Sequence, residues 1–396
     1  MKVGRKNKNF FIPNSPDREM ENSSKKENKI SFSKSKVEKD FLPSKINSSG
    51  LPNFFSRPIF LIFFLILIVG FIFFLVSNFM EEKNPNFLTC GDGTFSGYCS
   101  LKKPFFCSNE TLVENIFLCG CPKSADFQNG SCISKYNSSI ENKSLEYNLY
   151  GVKGNLSFEF RQDVLDELLE LPRYQIYSQN EIPRRDDFAF KKINNDLQRE
   201  FLIPLLIQIE NLSPKSKDIQ AKIAISLVQN LPYNESQFIS FFGKEVRVSR
   251  YPYQVLVEGQ GGCEGKSELL AFFLKEIGFG VVLFYYPEEN HEVVGIKCPI
   301  EKSFRGTGYC FIETTTPSPI SFSEGRYLST EGIGKLESEP QIIMISDGIS
   351  LIQNLDDYSD SRALGKIIES IENNGELNYF QKKKMDSLRE RYSLNY

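Results

Sequence analysis

Between Ile59 and Val76 the chain runs for 18 residues, IFLIFFLILIVGFIFFLV, without a polar side chain. As a helix rising 1.5 Å per residue this run spans about 27 Å, and extension to Met80 brings it near the roughly 30 Å hydrocarbon core of a bilayer. It is too apolar for a buried core helix. The 57 residues ahead of Pro58 are too many for the n-region of a cleaved signal, and Val76-Ser77-Asn78-Phe79-Met80 is not a small-x-small cleavage site. An uncleaved signal anchor over residues 58–80 is expected, making a single pass through the cell membrane. Residues 1–57 hold 13 Lys and Arg against 6 Asp and Glu, a local +7, so a chain of net charge −3 leaves −10 for the rest. The positive-inside bias then keeps the arm cytoplasmic and the acidic body extracellular. The arm, rich in Lys, Ser, Asn and Glu, should be disordered. A −10 body offers no basic surface for a phosphate backbone, which argues against a nucleic-acid partner.

Cysteine usage supports the outside assignment. Six of nine, Cys90, Cys99, Cys107, Cys119, Cys121 and Cys132, lie within 43 residues directly after the span. Such density reads as a small disulfide module, residues 88–135, in an oxidising compartment, and sequence cannot choose among its pairings. Zinc is the rival reading, but paired CxxC units and histidine are both lacking there, so no metal is expected. Beyond the span, seven Asn-x-Ser/Thr sequons, at Asn109, Asn129, Asn137, Asn142, Asn155, Asn211 and Asn234, give weak further support for an ectodomain.

The remaining globular domain is expected over residues 144–396. Leu145 to Phe160 has strand character interrupted at Gly151 and Gly154. Helical spacing marks Asp163 to Leu171, Asp196 to Asn211 with Pro204 inside, Lys217 to Leu231, and Arg362 to Tyr396.

The chemistry concentrates between them. Gly259-Gln260-Gly261-Gly262-Cys263 leads into a helix with Leu269, Leu270, Phe273, Leu274 and Ile277 at helical spacing, closed by Gly278. Cys263 therefore sits at a helix N-terminus, where free N–H groups and the dipole favour a thiolate nucleophile. Val281 to Tyr286 is a strand. A second strand opens with His291, the only histidine of the chain, and a third runs from Tyr309 to Thr314. If the last two pair antiparallel, His291 and Glu313 can lie opposite each other on one face. A thiol, an imidazole and a carboxylate so placed form a triad: the thiolate attacks an acyl carbon, the imidazole moves the proton, and the carboxylate orients the ring.

These residues resemble the transglutaminase-like superfamily of papain-related thiol enzymes, in particular its membrane-anchored archaeal and bacterial members. The resemblance is carried by Tyr251-Pro252-Tyr253, by GQGGCEGKSELLAFFLKEIG from Gly259 to Gly278, by the strand opening at His291, by YCFIETTTP from Tyr309 to Pro317, and by AISLVQNLPYNES from Ala224 to Ser236. It implies an α+β fold, a helix carrying Cys263 packed on an antiparallel sheet carrying His291 and Glu313, with its core over about residues 188–320. It implies Cys263 as nucleophile, His291 as base and Glu313 as third member, with Gln260, Gly261 and Gly262 near the oxyanion. Glu313 and Gly262 depart from the Asp that many relatives have at both places, and Glu292 and Val293 replace the usual aromatic after the histidine. Cys298 and Cys310 lie an odd number of residues from His291 and Glu313, so they should face away and could bridge the hairpin, leaving Cys263 free. The expected function is a thiol enzyme without cofactor, acting on amide or acyl bonds of an extracellular peptide or protein, with hydrolysis preferred to amine transfer. The alternative is a catalytically silent surface module binding protein or glycan.

Overall fold

The computed structural model describes residues 9–11, 88–173, 175–177, 184–235, 237–241, 244–322, 325–329 and 332–394. None of the described helices is long and apolar enough to cross a membrane. The apolar run at 59–76 lies outside the described residues. Upstream of residue 87 the structure describes only Asn9–Phe11, which pairs antiparallel with Gln175–Tyr177. At these three residues the backbone is extended and paired, a conformation the aromatic pair Phe10-Phe11 favours.

Residues 88–135 form two small hairpins, Phe105–Ser108 with Thr111–Glu114 and Ala125–Gln128 with Ser131–Ser134. Three disulfides pin them, Cys90–Cys107, Cys99–Cys119 and Cys121–Cys132. So short a segment buries little apolar surface, and cross-links take the place of a core. The segment is nevertheless continuous with the body. Cys90, Phe105, Cys107 and Leu112 join the main core, and Lys102 makes a buried ion pair with Glu210 at 2.5 Å. Asn211 donates to the Leu112 carbonyl at 3.0 Å and accepts from its N–H at 2.9 Å. The side-chain amide of that sequon is therefore occupied, whereas the other six sequon asparagines are exposed.

The body begins with a hairpin of β1 (Ile140–Leu149) and β2 (Val152–Arg161). Its turn, Tyr150-Gly151, has positive φ at both residues, the twist that a two-residue hairpin demands. Helices α1 (Gln162–Glu170), α2 (Arg185–Ile193), α3 (Asp196–Leu212) and α4 (Lys217–Asn230) follow. Asn195 and Ser216 cap α3 and α4 with their side chains. Then come the short α5 (Pro252–Glu258) and the central α6 (Cys263–Ile277).

A four-stranded antiparallel sheet faces α6, built of β3 (Val281–Tyr286), β4 (His291–Lys297), β5 (Tyr309–Ile312) and β6 (Gln341–Ser346) in the order β5-β4-β3-β6. Strand alternation separates two clusters. Val281, Leu283, Val294, Ile296, Cys310 and Ile312 share the core of α6's Leu269, Leu270 and Phe273. Val282, Phe284, Val293, Phe304 and Phe311 form a second cluster, as a period of two requires. This is a mixed α+β architecture, a helix on an antiparallel sheet. Cys298 and Cys310, bonded to each other, belong with the first cluster.

Two expectations change. The single C-terminal helix from Arg362 to Tyr396 is instead α7 (Asp356–Asn374) and α8 (Tyr379–Tyr392), broken at Gly375, whose φ of 71° is left-handed. The pair β4–β5 aligns Val294 with Ile312, which puts Val293, and not His291, level with Glu313. The two site residues are diagonal neighbours on one face, a span that the longer glutamate side chain covers.

Candidate active site

Cys263 is the first residue of α6, with Gly262 as a cap that contributes no side chain. The approach is tightly packed: a Cβ on Gly261 would come within 3.2 Å of Val255 and Lys266. The thiol is 3% exposed, and its Sγ lies 3.9 Å from the Asn290 carbonyl oxygen. All eight other cysteines are bridged, so Cys263 is the free thiol of the chain.

His291 opens β4, and its Nε2 lies 2.9 Å from Glu313 Oε2. That leaves Nδ1 as the ring nitrogen free to meet a thiol, and Cys263 is close enough to act on the charge of the imidazole. Burial by itself lowers the imidazole; the charge and hydrogen bond of Glu313, together with Cys263, outweigh it and raise His291 to about 10. Burial likewise pushes the Glu313 carboxyl up. The His291 charge and the donors around the carboxylate more than reverse this and hold it below its ordinary value. Those donors meet at Oε1: the N–H groups of Thr314 and Thr315 at 2.9 and 2.8 Å, and the Thr315 hydroxyl at 2.7 Å. The carboxylate is thereby fixed by its own chain immediately past the end of β5.

Buried polar side chains brace this corner. Gln229 at the end of α4 donates to the Glu313 carbonyl at 2.8 Å. Ser267 donates to the Glu292 carbonyl at 2.9 Å. Lys266, fully buried one turn into α6, donates to the carbonyls of Leu231 at 2.6 Å and Thr315 at 3.2 Å. Burial pulls its ammonium down to about 7, with the Glu313 charge opposing.

The expected oxyanion residues fare differently. The Gln260 N–H donates to the Val255 carbonyl and the Gly261 N–H to the Pro232 carbonyl, both at 3.1 Å. Those two backbone donors are spent, because the loop closes on α5 and on the chain after α4. The site is also covered. His291 is 5% exposed, and the Tyr327 ring stacks on it with centroids 4.1 Å apart. Tyr327 comes from a hairpin, Arg326–Ser329 with Gly332–Lys335, where it packs over Gly334.

Sequence reasoning missed a charged cluster behind the site. Arg185 Nη2 lies 3.0 Å from both Glu264 and Glu292, and Lys192 lies 2.6 Å from Glu268. The available signal was an acid placed directly after Cys263 and another directly after His291.

No family model matches this chain, and no curated protein matches it. Solved structures that match it include Legionella pneumophila LapG in calcium-bound form, at 14% identity over 46% of this chain and 98% of that chain. Legionella pneumophila LapG also matches at 16% identity, over 47% and 93% of the two chains. The TM-score is 0.22 in both cases, too low to support a conclusion about this chain.

Proposed function

We propose that this protein is a membrane-anchored thiol enzyme of transglutaminase-like type, acting outside the cell on peptide amide or acyl bonds through Cys263, His291 and Glu313. The observation that carries the reading is the 2.9 Å contact of His291 with Glu313, on an imidazole whose charge the only unbridged cysteine also favours. The thiolate attacks the acyl carbon, and the imidazolium protonates the leaving amine. Water then releases the acyl group, with the imidazole as base. Water is the preferred acceptor because the triad alone suffices for hydrolysis. Glu313 fixes the ring and stabilises its cation. The side-chain amide of Gln260 makes no hydrogen bond to a described residue and is the donor proposed for the oxyanion, alongside the first N–H groups of α6.

The extracellular placement rests on the apolar run and on the disulfides. The pairing of Asn9–Phe11 with Gln175–Tyr177 opposes it, since an arm across the membrane could not make that contact. Protease added to intact cells decides: loss of everything after Met80 with an intact Met1 tag supports the topology, and digestion of the tag refutes it.

The second reading, a silent binding module, is favoured by the cover over the site, with Tyr327 stacked on His291. Alkylation of Cys263 by iodoacetamide separates the two. An enzyme alkylates readily below pH 7 and loses that reactivity in His291→Ala. A silent module reacts only in alkali and is indifferent to the substitution.

A further inference from the structure

An acid follows each of the two central site residues, Glu264 after Cys263 and Glu292 after His291. A single nitrogen joins these acids. Arg185 Nη2 lies 3.0 Å from Glu264 Oε1 and 3.0 Å from Glu292 Oε2, with the three side chains at most 8% exposed. They stand on α2, α6 and β4 respectively. The guanidinium also stacks over the Tyr285 ring at 4.8 Å. Lys192 and Glu268, 2.6 Å apart, continue the contact along the same two helices.

Such a cluster does not explain itself by stability. Desolvation offsets most of the attraction in a buried ion pair, and apolar replacement of a whole cluster is often neutral or better. Polar contacts of fixed geometry do specify register. The apolar seam of α6 against the sheet determines how close the two lie, but it resists sliding along the helix axis poorly. Sliding of that kind would move Cys263 relative to His291. Fully ionised, the three acids and two cations sum to −1, and burial raises both Glu268, to about 8, and Glu292.

We propose that Arg185 is a positioning residue, which sets the separation of thiol and imidazole by holding the residue after Cys263 and the residue after His291 on one nitrogen. This rests on the triad reading above, and its test is built to fail separately from it. The experiment is the pH profile, between pH 5 and 9, of iodoacetamide alkylation at Cys263 in the full chain in detergent micelles. Two variants are compared with the parent and with His291→Ala. Glu264→Met cuts one arm, since it leaves no acceptor for Arg185 there, and leaves Arg185 paired with Glu292. The triple variant R185M/E264M/E292M replaces the clamp by apolar side chains and leaves the neutral Lys192–Glu268 pair. Both are expected to melt cooperatively within a few degrees of the parent. Both should alkylate at least about tenfold more slowly at pH 6, since misplacement by about 1 Å costs up to a hundredfold between reacting groups. A folded variant that keeps the parental profile overturns the proposal, and Glu264→Met alone decides if the triple variant fails to fold. If His291→Ala itself leaves the profile unchanged, it is the triad reading that fails.

Discussion

Replacing Glu313 by Gln tests what the carboxylate contributes, because the amide keeps its shape and most of its hydrogen bonds. Its oxygen can still accept from Thr314 N–H, Thr315 N–H and the Thr315 hydroxyl, which now meet Oε1. Its NH2 group would then face His291 Nε2, where Oε2 now lies at 2.9 Å. Two donors cannot share that contact, so the ring must present a bare Nε2 and carry its proton on Nδ1. The imidazolium loses its counter-charge in a buried site. His291 stands at about 10 against an ordinary 6.5, a preference for the cation of roughly 5 kcal/mol. Most of it should vanish, leaving the desolvation that lowers a buried imidazole. Turnover of a peptide amide should fall by about a hundredfold to ten-thousandfold, as when a triad carboxylate becomes an amide and imposes the wrong tautomer. The stability difference should follow pH in a definite way. The raised His291 contributes fully below pH 6.5 and is lost as pH rises through about 10; the lowered Glu313 contributes above about 4.5 and is lost on acidification. The melting-temperature gap between parent and Glu313→Gln should thus be widest near pH 5.5 to 6.5 and close toward pH 10. A uniform gap, or turnover within threefold of the parent, would show that the Glu313 charge does not hold the imidazolium.

Other consequences follow from particular contacts. Tyr327→Ala removes a stacked ring, worth roughly 1 kcal/mol, so alkylation of Cys263 should become about fivefold faster; an unchanged rate would mean that the ring does not limit access. Removing the Cys298–Cys310 bridge, which closes 12 residues, should cost about 3 kcal/mol in a denaturant titration, and an unshifted midpoint would argue that the hairpin is held without it. Glycopeptide mapping should find Asn211 unmodified, and Asn211→Ala should destabilise by about 2 kcal/mol for its two hydrogen bonds. A glycan on Asn211 would contradict the described contact with Leu112.

The sequence made α6 legible because its apolar residues from Leu269 to Ile277 keep one spacing and Gly278 ends it. The strands around His291 and Glu313 were legible from their alternation. Other features depend on tertiary context. Helix α2 was missed because its buried Phe188, Ala189 and Ile193 sit among charges that resemble a solvated run. Pro252 was read as part of a motif, although it is the first residue of α5, where a missing N–H costs nothing. That the Gln260 and Gly261 N–H groups are spent within the loop is not legible in the sequence, because their acceptors, the Val255 and Pro232 carbonyls, become neighbours only on folding. Arg185 lies 79 residues before Glu264 and 107 before Glu292, and no local pattern announces such a contact.

Acyl transfer through Cys263 can be followed by intact-mass spectrometry. The full chain and its His291→Ala variant would be incubated at pH 7 with an activated ester of a short acyl-peptide, with samples quenched over time. The parent should gain one acyl mass on Cys263 and return to its original mass as the ester is exhausted, while His291→Ala should stay unmodified over the same interval. Equal acylation of both chains, or an adduct on any residue other than Cys263, would contradict it.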